Sequence, residues 1–91
     1  MKKDLDKNDI IDLGFIYDHS DKDGRTYTAY KNNDIILKEY YNNPNEYALV
    51  RQLNNSQQIL FDGIIKNKSE LLKLMVQLGI IKTFVIDELN S

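Results

Sequence analysis

The stretch Thr26–Tyr41, TYTAYKNNDIILKEYY, decides the fold. Thr26–Lys31 and Asp34–Tyr41 are rich in tyrosine, threonine, isoleucine and leucine. Such β-branched and aromatic side chains fit a pleated, half-buried surface. Between the two runs, Asn32-Asn33 stands where a tight turn needs positive φ, which asparagine tolerates. The stretch therefore predicts two antiparallel strands joined by a short turn.

Outward from this hairpin the pattern repeats at about ten-residue spacing, the mark of an antiparallel meander. Phe15–Asp18 predicts a strand upstream, and Glu46–Leu53 and Gln58–Ile65 predict two more downstream. Asn42-Asn43-Pro44-Asn45 and Asn54-Asn55-Ser56 are the breaks between them. At both ends the period becomes helical. Asn8–Gly14 predicts a short helix, capped by Asn8 and stopped by Gly14. Leu71, Leu74, Met75 and Leu78 fall on one face of a longer helix, with Asn67 or Ser69 as its cap, Asn67 and Glu70 spaced as in a capping box, and Gly79 as the stop. Ile80–Ile86 is apolar, and reads either as a sixth strand or as an extended segment against the core or another subunit. The expectation is one α+β domain over residues 1–91, with residues 1–7 frayed. It comprises a short N-terminal helix, an antiparallel meander of about five strands, a longer C-terminal helix packed on the sheet, and an apolar C-terminal segment.

Composition narrows the function. A chain of 91 residues has room for one modest core, so a deep pocket calls for a second copy. The net charge of -2 gives no general attraction to nucleic acid or to anionic membrane. Without cysteine there is neither a disulfide nor a thiolate metal site. No apolar run reaches membrane-spanning length, and Met1–Asp6 is not followed by the apolar stretch of a secretory signal, so a cytoplasmic location is expected. Lysine, asparagine and isoleucine are abundant, as in AT-rich genomes.

Asp18–Tyr27, DHSDKDGRTY, invites a calcium reading, because Asp21, Asp23 and Gly24 fit three positions of a calcium loop. His19 and Tyr30 then occupy positions that need strong oxygen ligands. Asp23-Gly24 between two strand-like runs is a hairpin turn, and no metal is expected. His19, the only histidine, has no serine or cysteine partner, and no glycine-rich phosphate loop exists. Asp62 is the best carboxylate for acid–base work, although its strand context places it on an exposed sheet face. The chain is therefore expected not to be an enzyme and to need no cofactor.

Six tyrosines and both arginines fall in or beside predicted strands. Tyrosine rings stack on planar groups, and an arginine fork pairs phosphate oxygens. Arg25, Tyr27, Tyr47 and Arg51 are accordingly the candidate ligand-binding residues. The same residue types anchor protein interfaces, or close the edges of a small core.

The ordering of Leu13-Gly14-Phe15, tyrosine-rich strands, Phe61–Leu72 and Leu78-Gly79-Ile80 resembles small proteins carried by phages and mobile elements. The likeness covers most of the chain. Some such proteins counter host defence, either by trapping a signalling nucleotide between subunits or by blocking a host protein. The resemblance implies a non-enzymatic accessory protein of the host cytoplasm, a homo-oligomer and most simply a dimer, that sequesters a small nucleotide-like molecule. The alternative is an inhibitor or adaptor that blocks a host protein through a tyrosine/arginine sheet face. It carries over no functional residue.

Overall fold

The computed structural model describes residues 4–21 and 26–80. The chain runs through α1 (Lys7–Asp12), β1 (Ile16–Ser20), β2 (Tyr27–Asn32), β3 (Ile35–Tyr40), β4 (Glu46–Gln52), β5 (Gln57–Ile64) and α2 (Lys68–Gln77). The five strands form one antiparallel sheet in the order β1-β2-β3-β4-β5, the meander that the turn spacing predicts. Asn33 takes φ 55° in the β2–β3 turn, the positive value for which asparagine was read. Ile81–Ile86, most of the expected C-terminal segment, lies outside the described residues, as does the Asp23-Gly24 turn. Among the described residues, no helix is long and apolar enough to cross a membrane.

Both helices stop by the same device. Gly14 (φ 101°) and Gly79 (φ 77°) are left-handed. Phe15 N–H donates to Ile10 O at 3.3 Å and Gly14 N–H to Ile11 O at 3.0 Å. At the end of α2, Ile80 N–H donates to Met75 O at 2.8 Å and Gly79 N–H to Val76 O at 3.1 Å. These pairs are the two bonds of a Schellman motif, and in each the residue after the glycine packs into the core beside its bonded partner. Phe15 is thereby committed to the core, and the first strand begins one residue later than expected.

Gly79→Ala should cost about 1–2 kcal/mol, the strain of a left-handed non-glycine residue, because the added Cβ meets nothing within 4 Å. Gly14→Ala should cost more, because there the Cβ would lie 2.9 Å from Asn32 Nδ2. Thermal unfolding of the two variants checks that order.

The N-termini depart from expectation. Asp6, not Asn8, caps α1: its Oδ1 accepts from Asp9 N–H at 3.0 Å, and Asp9 Oδ2 accepts from Asp6 N–H at 3.2 Å. Leu5, expected in a frayed end, is buried, and its N–H donates to Lys66 O at 2.9 Å. An apolar side chain ahead of the cap holds the helix to the sheet. Asn67 does cap α2, accepting from Glu70 N–H at 2.9 Å. Glu70 closes the turn on Lys66 N–H at 2.8 Å, one residue before a capping box would have it.

The sheet has two unlike faces. Tyr30, Ile35, Leu37, Tyr47 and Leu49 point toward the helices and pack with Leu5, Ile10, Phe15, Ile65, Leu71 and Met75 in the main core. Leu71 and Met75 are fully buried on α2, whereas Leu74 and Leu78 flank them partly buried. On the opposite face Ala29, Ile36, Ala48 and Val50 form a smaller buried cluster, with Tyr27 and Tyr40 packed against it. No described helix or strand lies over that second face.

Candidate functional site

The expected ligand set does not meet on one surface. Tyr47 is buried to 2% exposure in the main core, on the helix side of β4. Burial first, and then the charge of Glu39, push its hydroxyl well above the ordinary tyrosine range, so it remains a hydrogen-bond donor. Arg51, four residues further along and on the same side, lies near the end of β4 with Nε 3.6 Å from Asp34 Oδ2. That is an ion-pair contact, too long for a hydrogen bond. Tyr27 is on the other face. Arg25 lies outside the described residues. A strand with apolar residues at consecutive positions, Tyr47-Ala48-Leu49-Val50, offers no sequence signal for which tyrosine is covered.

Tyr27 belongs instead to an aromatic cluster on the face opposite the helices. Cross-strand pairing sets it opposite Tyr40, with ring centroids 6.1 Å apart in an edge-on arrangement. The His19 ring approaches Tyr27 edge-on at 5.9 Å, and Lys38 Nζ lies 5.0 Å from its centroid, a cation–π contact. His19 reaches this face through a bulge: Tyr17 pairs with Tyr30 and His19 with Ala29, leaving Asp18 as the extra residue. His19 Nδ1 lies 2.6 Å from Asp18 Oδ2.

The pairing also aligns a row across all five strands: Ile16, Lys31, Ile36, Val50, Ile59. Its inner members Ile36 and Val50 are buried, while Ile16 and Ile59, at the two edges, are each 67% exposed. Ile64 is a further exposed isoleucine on this face. Charge is divided along the row direction. Lys31 and Lys38 lie on β2 and β3, Glu46 and Asp62 on β4 and β5. Asp62 stands on the exposed face, as its strand context predicts.

A second tyrosine grouping lies on the helix side. Glu39 pairs with Tyr47 on β4 and with Thr28 on β2, and Tyr30 is its diagonal neighbour. Burial raises the Glu39 carboxyl above its ordinary range, and hydrogen bonding to the Tyr47 and Tyr30 hydroxyls pulls it part of the way back. The sequence reading passed over Glu39, because a carboxylate inside a strand normally faces water; its position between Tyr41 and Leu37 on one face was the available signal. A carboxyl raised by folding favours the folded state only while protonated, and that contribution is lost as pH rises through the raised value. Glu39→Gln should therefore raise the melting temperature at pH 7, and the gain should vanish below the ordinary glutamate value of 4.5. Paired melting curves across that range check the sign.

Asp21 is occupied by the hairpin: its Oδ1 accepts from Thr26 N–H at 2.8 Å and from Tyr27 N–H at 3.1 Å. The described groove beside α2, lined by Phe61, Ile64, Ile65, Glu70, Lys73, Leu74 and Gln77, has a volume of about 200 Å³ and is mainly apolar. Comparison with protein-family models, with curated proteins and with solved structures finds no match.

Proposed function

We propose that this chain is a non-enzymatic binding protein that blocks or recruits a host protein through the sheet face opposite the helices. The observation that carries the reading is the row from Ile16 to Ile59, with the Tyr27–Tyr40–Lys38 cluster beside it. Single exposed apolar residues are ordinary on a protein surface. Here the exposed Ile16 and Ile59 share one face with the edge-on Tyr27–Tyr40 pair, and exposed apolar and aromatic side chains grouped on one face mark interaction sites. Aromatic side chains supply the anchors and the lysines and carboxylates the polar surround, the usual anatomy of a protein interface.

Sequestration of a nucleotide is supported less well. Small-molecule pockets measure about 300–1,000 Å³ and enclose most of the ligand. The groove beside α2 is smaller and mainly apolar, and among the described residues no helix or strand encloses the opposite sheet face. Among the described residues neither carries an arginine. The chain would act in the cytoplasm of a host cell, as the resemblance to phage-borne proteins implies.

In-cell photocrosslinking tests the reading. A photoreactive residue at position 59 or 16 should give a discrete adduct with one protein, and the same probe at exposed Gln77 on α2 should not. Equal, diffuse labelling from all three positions would count against the open face as the working surface. An adduct of twice the chain mass from position 59 would identify the partner as a second copy, the dimer expected for a chain of this length.

A further inference from the structure

We propose that the tyrosine cluster around Glu39 is a binding site for an organic cation, an ammonium or guanidinium group. The site lies on the helix side of the sheet, apart from the open face, and does not depend on the reading above.

Glu39 is half-buried, flanked by Tyr47 across the β3–β4 pair and by Tyr30 on the diagonal of β2. Both of those rings are buried. Tyr17, paired with Tyr30 and meeting its ring edge-on at 6.3 Å, is 54% exposed. Tyr41 is exposed as well, and its hydroxyl bonds Thr28 Oγ1, next to Glu39 in the register. Tyr17 O–H in turn meets Ser20 Oγ at 3.4 Å. Glu39 thus lies beside the buried Tyr47 and Tyr30, with the exposed Tyr41 two residues along the chain and the exposed Tyr17 beyond Tyr30.

Among the described residues no lysine, arginine or histidine pairs with Glu39; the ion pairs present are His19–Asp18, Arg51–Asp34 and Lys68–Asp12. A carboxylate withdrawn from water without a counter-ion destabilises the fold until a cation supplies the missing charge. Tyrosine faces attract cations through the ring quadrupole, and the attraction grows when water is excluded. Carboxylate and rings therefore select the same partner. Asp4 and Asp6 lie close enough for their charge to act on Tyr47, which adds negative potential on this side. An anionic ligand would meet repulsion here, and a neutral one would leave the Glu39 charge, held by the Tyr47 and Tyr30 hydroxyls, without a counter-ion. The cation can come from a free amine or from a lysine or arginine side chain of a protein, and both present the same chemistry.

The test is an NMR titration of the full chain with n-butylammonium at constant ionic strength, with n-butanol as the neutral control. Saturable shifts confined to Tyr17, Tyr30, Glu39 and Tyr41 are expected, and none with butanol. Glu39→Gln should weaken the cation about tenfold or more, the worth of a charged hydrogen bond. Its melting temperature at pH 7 reports separately that the fold is intact. Tyr17→Leu, which keeps an apolar side chain and removes the ring, should weaken binding several-fold. Spermidine and an arginine-bearing tripeptide, titrated in parallel, separate the two sources: the tighter binder identifies which. Equal butylammonium shifts in the parent and Glu39→Gln, or shifts spread over the surface carboxylates, would overturn the assignment.

Discussion

Tyr47→Ala should cost about 3–5 kcal/mol of folding stability, the range for removing a buried aromatic ring. For a domain of this size total stability is roughly 5–14 kcal/mol, so the variant should melt far below the parent. The argument rests on position. Tyr47 lies on the helix side of the central part of the sheet, buried among Leu37, Leu49, Leu71 and Met75 in one cluster. Its hydroxyl reaches Leu5 O at 3.5 Å, a long contact that contributes little by itself. Tyr47→Phe, which keeps the ring but removes the hydroxyl that bonds Glu39, should cost less, about 1–3 kcal/mol. Had Tyr47 been a surface ligand residue, Tyr47→Ala would leave the melting temperature unchanged and Tyr47→Phe would change binding. Denaturant unfolding of the two variants separates these outcomes. Leu71→Ala, in α2, should fall in a comparable range of about 2–5 kcal/mol.

The meander was legible because its turns carry chemistry. Asn33, Gly14 and Gly79 take the positive φ that their residue types advertise, and the strands between them follow from β-branched and aromatic runs. The covered side of the sheet was not legible. β4 reads Tyr47-Ala48-Leu49-Val50, apolar at every position, because both faces of the sheet hold a cluster there. Period-two alternation selects a face only when one face is polar. The bulges added a second obstacle. Asp18 and Leu60 have no cross-strand partner, so each shifts its edge strand by one residue. His19 and Ile59 thereby reach the open face, and a count of alternate residues along either strand would misplace its two ends relative to each other. Tyrosine content did not separate the two faces: Tyr47 is buried in the main core, whereas Tyr27 packs beside Tyr40 on the opposite face. The shortened reach of the N-terminal reading has a similar cause: Asp6 and Asn8 are both competent caps, and the burial of Leu5 decides between them.

The second large effect concerns the open face. A carboxylate at position 59 or 16 places charge in the middle of an apolar contact. Burying an uncompensated charge is costly enough that the complex forgoes the contact or fails to form. Ile16→Asp and Ile59→Asp should each weaken partner binding by about 2–4 kcal/mol, the range of interface hot spots and some thirtyfold or more in affinity. Both side chains are mainly solvent-exposed in the isolated chain, so their replacement should leave stability within about 0.5 kcal/mol. Tyr27→Ala belongs to the same test with a different signature. Its ring packs on Ala29, Ile36, Ala48 and Val50 and meets Tyr40 and Lys38, so it should lose both binding and some stability.

The most direct measurement is the affinity of the crosslinked partner, once identified, for the parent, Ile16→Asp, Ile59→Asp and the helix-side control Lys73→Asp, with melting temperatures recorded for all four. The account predicts that the two isoleucine variants lose about thirtyfold or more while folding as the parent does, and that Lys73→Asp binds like the parent. Parent-like affinity in both isoleucine variants would contradict it, and the open face would not be the surface through which this protein works.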